Sequence, residues 1–102
     1  MSTATPQASL SSVKKNGWRL SADSKSIFRE YRMKNFMAAV RFIQKIAKIA
    51  EAANHHPDLH LTGYRKLKIR LSTHDLGRLS KKDYRLASQI DKLPNSLKNN
   101  KL

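Results

Sequence analysis

The stretch Glu51-Ala52-Ala53-Asn54-His55-His56-Pro57 fixes the middle of the chain. Upstream of it, Phe36, Val40, Ile43, Ala47 and Ala50 recur at the helical period, and Phe42, Ile46 and Ile49 widen their stripe. Arg41, Gln44, Lys45, Lys48 and Glu51 take the remaining arc. The spacing predicts a helix over 36–53 with Asn35 as N-cap, its side-chain oxygen serving a free N–H of the first turn. Pro57 closes the helix, because proline disfavours helical geometry at the residue before it. On a helical lattice Glu51 and His55 stand at i, i+4, so their side chains are expected to meet, while the consecutive His55 and His56 diverge. An apolar arc this wide predicts burial on two flanks, against a sheet and against a second helix or subunit.

Toward the N terminus, residues 8–15 predict a short helix with Leu10 and Val13 on one side. Asn16-Gly17 stops it, since glycine accepts the left-handed conformation that ends many helices. Trp18 to Leu20 and Ser26 to Met33 then read as a hairpin around the turn Ala22-Asp23-Ser24-Lys25. Ile27, Arg29, Tyr31 and Met33 share one face of the return strand, and Phe28, Glu30 and Arg32 the other.

Toward the C terminus, Asp58 to Gly63 reads as a loop and Tyr64 to Thr73 as the clearest strand. Leu67, Ile69, Leu71 and Thr73 face one way, and Lys66, Lys68, Arg70 and Ser72 the other. One buried and one wet face predicts an antiparallel sheet. After the loop at 74–78, Ser80 fits an N-cap with Asp83 at N3 and Leu79 stapled on Tyr84. Leu86, Ala87 and Ile90 give this last helix its apolar face. Asp83 also fits as an ordinary first-turn acid favoured by the helix dipole.

The 102 residues suffice for one domain, expected over 8–93 with disordered tails at 1–7 and 94–102. Cysteine is absent, which removes disulfides and thiolate metal sites. No apolar run approaches the roughly 18 residues of a membrane span. The N terminus has no apolar signal core, so a cytoplasmic protein is expected, with organelle import left open. The net charge of +14 suits anionic partners, but ten basic residues precede position 50 and eleven follow it. Without a basic arm or a nucleic-acid-binding signature, a sequence-specific nucleic-acid partner is not expected.

Three of the four histidines, His55, His56 and His74, lie at two element ends, with Glu51 before the pair and Asp83 after the third. Histidine titrates near neutrality, with an unperturbed pKa of roughly 6.5, so the grouping suggests proton transfer. A zinc site is not expected, because adjacent histidines ligate one ion poorly and cysteine is lacking.

Taken together these residues resemble the pterin-4a-carbinolamine dehydratase family over residues 17–91. The resemblance rests on Gly17-Trp18, the helix from Phe36 to Ala50, Glu51 followed by His55-His56-Pro57, and Tyr64. It continues through Leu67-Ile69-Leu71, Thr73-His74-Asp75, Gly77 with Leu79 and Asp83, and Leu86-Ala87. It implies an α+β fold, an antiparallel four-stranded sheet with about three helices on one face. Only three strands are evident from the residues alone, the fourth being a short edge near 58–62 or part of the first hairpin. The implied reaction is dehydration of a 4a-hydroxytetrahydropterin in tetrahydrobiopterin recycling, a lyase reaction needing neither metal nor cofactor. His55, His56 and His74 match the family's catalytic histidines, with Glu51 supporting His55 and Asp83 supporting His74. Ser72, Thr73, His74 and Pro57 are the implied substrate contacts. Whether His55 or His74 is the acid stays open. The resemblance also implies a homodimer or homotetramer. Its alternative is a binding module that takes a transcription-factor partner on the helix face. The sequence departs from the family at Asp58-Leu59-His60, where an aromatic residue is common, and at Asn54, where an acid is common.

Overall fold

The computed structural model describes residues 9–73 and 75–94. Along them run α1 (Leu10–Lys14), β1 (Arg19–Leu20), β2 (Ile27–Arg32), α2 (Phe36–Ala53), β3 (Asp58–Thr62), β4 (Lys66–Leu71) and α3 (Lys81–Asp91). The strands form one antiparallel sheet in the order β1-β2-β4-β3. Two hairpins thus flank a central β2–β4 pair, and α2 carries the chain from the end of β2 to the far edge. The α+β class with a four-stranded sheet and three helices is as expected. The expected tails, 1–7 and 94–102, lie outside the described residues except for Pro94, the last one described.

Directly paired residues share a face, so the register sorts the sheet into rows. Ile27 with Leu71, Ile69 with Leu59, and Tyr31 with Leu67 and Leu61 face the helices. Phe28 with Arg70 and Asp58, Glu30 with Lys68 and His60, and Arg32 with Lys66 and Thr62 face away. Ile27, Ile69 and Leu71 are fully buried beneath Phe42, Ile46, Leu86 and Ile90. Phe42 meets Tyr31 edge-on, with ring centroids 5.0 Å apart.

Asp91, at the end of α3, ties that helix to the hairpin. Its carboxylate accepts from Trp18 Nε1 at 2.9 Å, from Arg29 at 2.6 Å and from the Tyr31 hydroxyl at 3.3 Å. Burial pushes the Tyr31 hydroxyl well above its ordinary pKa. The Arg29 guanidinium also stacks over the Tyr31 ring, 4.3 Å from its centre.

Three expectations differ from the structure. Asp58–Thr62, read as a loop from the residues alone, is the short edge strand that the resemblance offered as one of two places for the fourth. It is a sheet edge whose inward residues, Leu59 and Leu61, are only half-buried, so its alternation is too brief to stand out. The strand expected from Tyr64 begins at Lys66, because Gly63 and Tyr64 are both left-handed (φ 53° and 56°) in the reversal before it. The buried row of α2 is Ala38, Ala39, Phe42, Ile46 and Ala50. The alanines are small enough to sit within the core, while Phe36, Met37 and Ala47 are exposed, Val40 is half-buried and Ile43 is half-buried against the core. Phe36 is 51% exposed and Met37 55%.

Candidate active site

The end of α2 builds the site. Asn54 is left-handed (φ 52°, ψ 42°). Its N–H donates to the Glu51 carbonyl at 3.2 Å, and the His55 N–H donates to the Ala50 carbonyl at 3.1 Å. This paired arrangement satisfies carbonyls that the helix end leaves free. Asparagine tolerates the left-handed region better than most residues, which gives Asn54 a structural reason. The twist takes His55 off the helical lattice and turns it inward, leaving it 9% exposed. His56 turns outward.

Beneath His55 lies Asp83, in the first turn of α3 and 0% exposed. Three donors surround its carboxylate. His55 Nε2 lies 2.6 Å from Oδ1, while Oδ2 accepts from the Thr73 hydroxyl at 2.9 Å and from the Ser80 N–H at 3.0 Å. The Thr73 hydroxyl donates to Asp83, so it accepts from Ser80 Oγ at 2.6 Å. Ser80 Oγ in turn accepts from the Lys82 N–H at 3.3 Å, as an N-cap does. Every lone partner in this buried set is matched, which holds the carboxylate in one orientation. With Oδ1 as acceptor, the hydrogen-bond network assigns the proton of a neutral ring to Nε2. Nδ1 then carries the lone pair, and it bonds to no described residue.

Asp83 pairs with His55, while the support of His74 expected of it lies outside the described residues. One expectation is corrected. Glu51 hydrogen-bonds His56 Nε2, where contact with His55 was expected. The helix ends at Ala53, so the i, i+4 relation never reaches His55. Glu51 and His56 are largely exposed, their side chains 76% and 55% accessible. Pro57 and Ser72 are half-buried beside the site, and Thr73 is buried. The Thr73 N–H donates to the Arg78 carbonyl at 3.0 Å. His74 lies outside the described residues. His60 sits apart, on the outer face of the sheet opposite Lys68.

A cavity of about 290 Å³ opens beside His55, lined also by Ala53, Lys82, Arg85, Leu86 and Gln89. Sequence reading gave Ser80 no role beyond the helix cap and overlooked Lys82, Arg85 and Gln89. Their signal was available in the spacing, since 82, 85 and 89 form one stripe of the helix that bears Asp83.

The family model for pterin 4 alpha carbinolamine dehydratase matches residues 1–93. The chain belongs to this family. A relative from Arabidopsis thaliana, named pterin-4-alpha-carbinolamine dehydratase 2, mitochondrial, is 42% identical over 79 residues. That match spans 76% of this chain and 42% of the Arabidopsis protein. A Saccharolobus islandicus relative, named provisionally as a pterin-4-alpha-carbinolamine dehydratase, is 39% identical over 82% of this chain and 84% of its own length. Among solved structures, a transcriptional coactivator/pterin dehydratase from Brucella melitensis shares the fold, with a TM-score of 0.72 and 24% identity over 80% of this chain and 88% of that one. A pterin dehydratase-like protein described as a RuBisCO assembly factor in the alpha-carboxysome shares it at a TM-score of 0.61 and 18% identity, over 74% of this chain and 86% of that one. No helix among the described residues is long and apolar enough to cross a membrane.

Proposed function

We propose that this chain is a pterin-4a-carbinolamine dehydratase that removes water from a 4a-hydroxytetrahydropterin. The observation that carries the reading is the buried Thr73–Asp83–His55 relay opening on a cavity, in a chain of this family. The reaction eliminates across C4a and N5. A base takes the N5 proton, the N5 electron pair forms the C4a=N5 bond, and the 4a-hydroxyl leaves as water after accepting a proton from an acid. The products are a quinonoid dihydropterin and water. General acid–base catalysis of this kind is typically worth about 10²–10⁴-fold.

His55 is the base in this reading, because Asp83 fixes its proton on Nε2 and leaves Nδ1 able to accept. The negative carboxylate also stabilises the imidazolium that forms. With His55 as the base, His74, which the family pattern counts among the catalytic histidines and which follows Thr73 directly in the chain, is left as the acid. His56, held by Glu51, assists the departing hydroxyl. Ser72 and Pro57 border the pterin. Tetrahydrobiopterin recycling in the cytoplasm is the setting this reading supplies.

A second reading rests on the outward row of α2. Phe36 and Met37 are exposed large apolar side chains on the same helix as the half-buried Val40 and Ile43. This supports a homodimer or homotetramer, or a partner helix in the manner of a transcriptional coactivator. The test of the enzyme is stopped-flow absorbance of 4a-hydroxytetrahydropterin decay with wild type, His55→Ala and His74→Ala. A decay accelerated by wild type and slowed at least about tenfold in either variant upholds it. A folded wild type that leaves the spontaneous rate unchanged sinks it and leaves the binding-module reading.

A further inference from the structure

We propose that the cavity beside His55 is an anion subsite that selects a pterin whose C6 side chain bears a phosphate or carboxylate. The inference rests on the dehydratase reading and deepens it. In a pterin, C6 is bonded to N5, the atom that loses its proton. A group beside the histidine acting at N5 is therefore within reach of the C6 substituent. On the cavity side of His55 those groups are cationic.

Lys82 and Arg85 line the cavity together with His55, and Gln89 adds an amide one turn further along α3. Both cations are exposed. Neither side chain forms an ion pair among the described residues, where Arg29–Asp91, His55–Asp83 and His56–Glu51 are the pairs. The acid next to them in sequence, Asp83, faces inward and is engaged by three donors. The carbonyl end of α2 also borders the cavity and opposes an anion. A helix terminus carries only about half an elementary charge, against two full cations. The N-terminal turn of α3, where Lys82 sits, adds a favourable dipole. A guanidinium can grip two oxygens of a phosphate or carboxylate at once, with the ammonium as a point charge and the amide as a neutral donor. Ala53 and Leu86 also line the cavity, and their apolar surface suits the linking carbon chain.

The test compares three 4a-hydroxytetrahydropterins at low and moderate salt. They carry a neutral dihydroxyalkyl group at C6, the phosphate monoester of that group, or a benzoylglutamate. Wild type is expected to show kcat/KM about tenfold higher for at least one anionic substrate than for the neutral one, carried by KM and weakened by salt. The two anionic arms tell a phosphate from a carboxylate. In Lys82→Gln/Arg85→Gln the ratio of anionic to neutral substrate should fall close to one, and Lys82→Arg should retain it. Equal kcat/KM for all three substrates in wild type, or a ratio unchanged in the double variant, overturns the proposal. Should no pterin turn over, the dehydratase reading fails and equilibrium binding decides the subsite separately. Fluorescence titration with the oxidised pterin, with and without its side-chain phosphate, must then show about tenfold tighter binding of the phosphate in wild type and loss of that gain in the double variant. Equal affinities there overturn the subsite as well.

Discussion

Asp83→Asn isolates what the buried carboxylate does. Asparagine keeps the shape but has one acceptor oxygen where aspartate has two. The site offers two donors on the Oδ2 side, the Thr73 hydroxyl at 2.9 Å and the Ser80 N–H at 3.0 Å. The amide oxygen satisfies both when it takes that side, and its NH₂ then faces His55 Nε2 across what is a 2.6 Å contact in the native protein. Two donors cannot share that contact, so the ring proton moves from Nε2 to Nδ1, the nitrogen proposed to accept the N5 proton. Charge-assisted hydrogen bonds are worth about 1.5–3 kcal/mol and neutral ones about 0.5–1.5, so the exchange costs roughly 1–3 kcal/mol of stability. For a domain this small each kcal/mol lowers the thermal midpoint by about 4–8 °C. A domain with about 5–15 kcal/mol in hand stays folded. The rate should fall by about 10²-fold or more, since the base is lost while the cavity is kept. Stopped-flow decay of the 4a-hydroxypterin gives the rate, and circular dichroism with thermal melting gives the fold. A folded Asp83→Asn protein working within about twofold of wild type would refute the relay.

Glu51→Gln should matter far less. The Glu51–His56 pair is exposed, so stability should change by under about 0.5 kcal/mol and the rate by only a few-fold, read in the same two assays. Asn54→Ala places a residue less tolerant of φ 52° at the end of α2 and should cost about 1 kcal/mol in a denaturant melt, whereas Asn54→Gly should be near neutral. Tyr31→Phe should flatten the alkaline limb of stability. Below pH 10.0, the ordinary tyrosine value, the hydroxyl is protonated in both states. Above it the unfolded chain ionises while burial keeps the native hydroxyl protonated, so native protein binds more protons and stability falls as pH rises. Thermal melts from about pH 8 to 11 should therefore decline less steeply in the variant, with a residual slope from Tyr84, whose hydroxyl burial also raises.

The sheet and its helices were legible wherever periodicity ran for several residues. Leu67, Ile69 and Leu71 alternate with Lys66, Lys68 and Arg70, and they are the buried and exposed rows of β4. Phe36–Ala53 coincides with α2 because a proline and a capping asparagine bracket an unbroken apolar repeat. Which side of α2 is buried was not legible. Its apolar residues cover more than half the circumference, and hydrophobicity alone ranks Phe36 and Val40 above Ala38 and Ala39. Close packing in the core reverses that order, since small side chains fit where larger ones would clash. Strand β3 was suggested only by the family resemblance and not by its own pattern, because an edge buries little and its sequence is not constrained to a strong alternation.

His55, His56, Glu51 and Asp83 were singled out from the sequence but their pairing was not, and the reason is local. A pairing argument along a helix assumes that the helix continues, and one left-handed residue cancels it. Asn54 redirects His55 by the width of the helix, from the flank of Glu51 to the buried first turn of α3. Glu51 then reaches the next histidine in line. The consequence is chemical. Paired with an exposed glutamate, His55 would share its proton with solvent and either ring nitrogen would serve. Paired with a carboxylate that is 0% exposed and held by Thr73 and Ser80, it has one ring nitrogen committed and one offered. The proton transfer proposed for His55 needs that asymmetry, because a ring free to exchange tautomers presents its lone pair only part of the time. The capping geometry of α2 and the capping geometry of α3 thus do the same work from two sides. One turns the imidazole inward, and the other fixes the carboxylate that receives it.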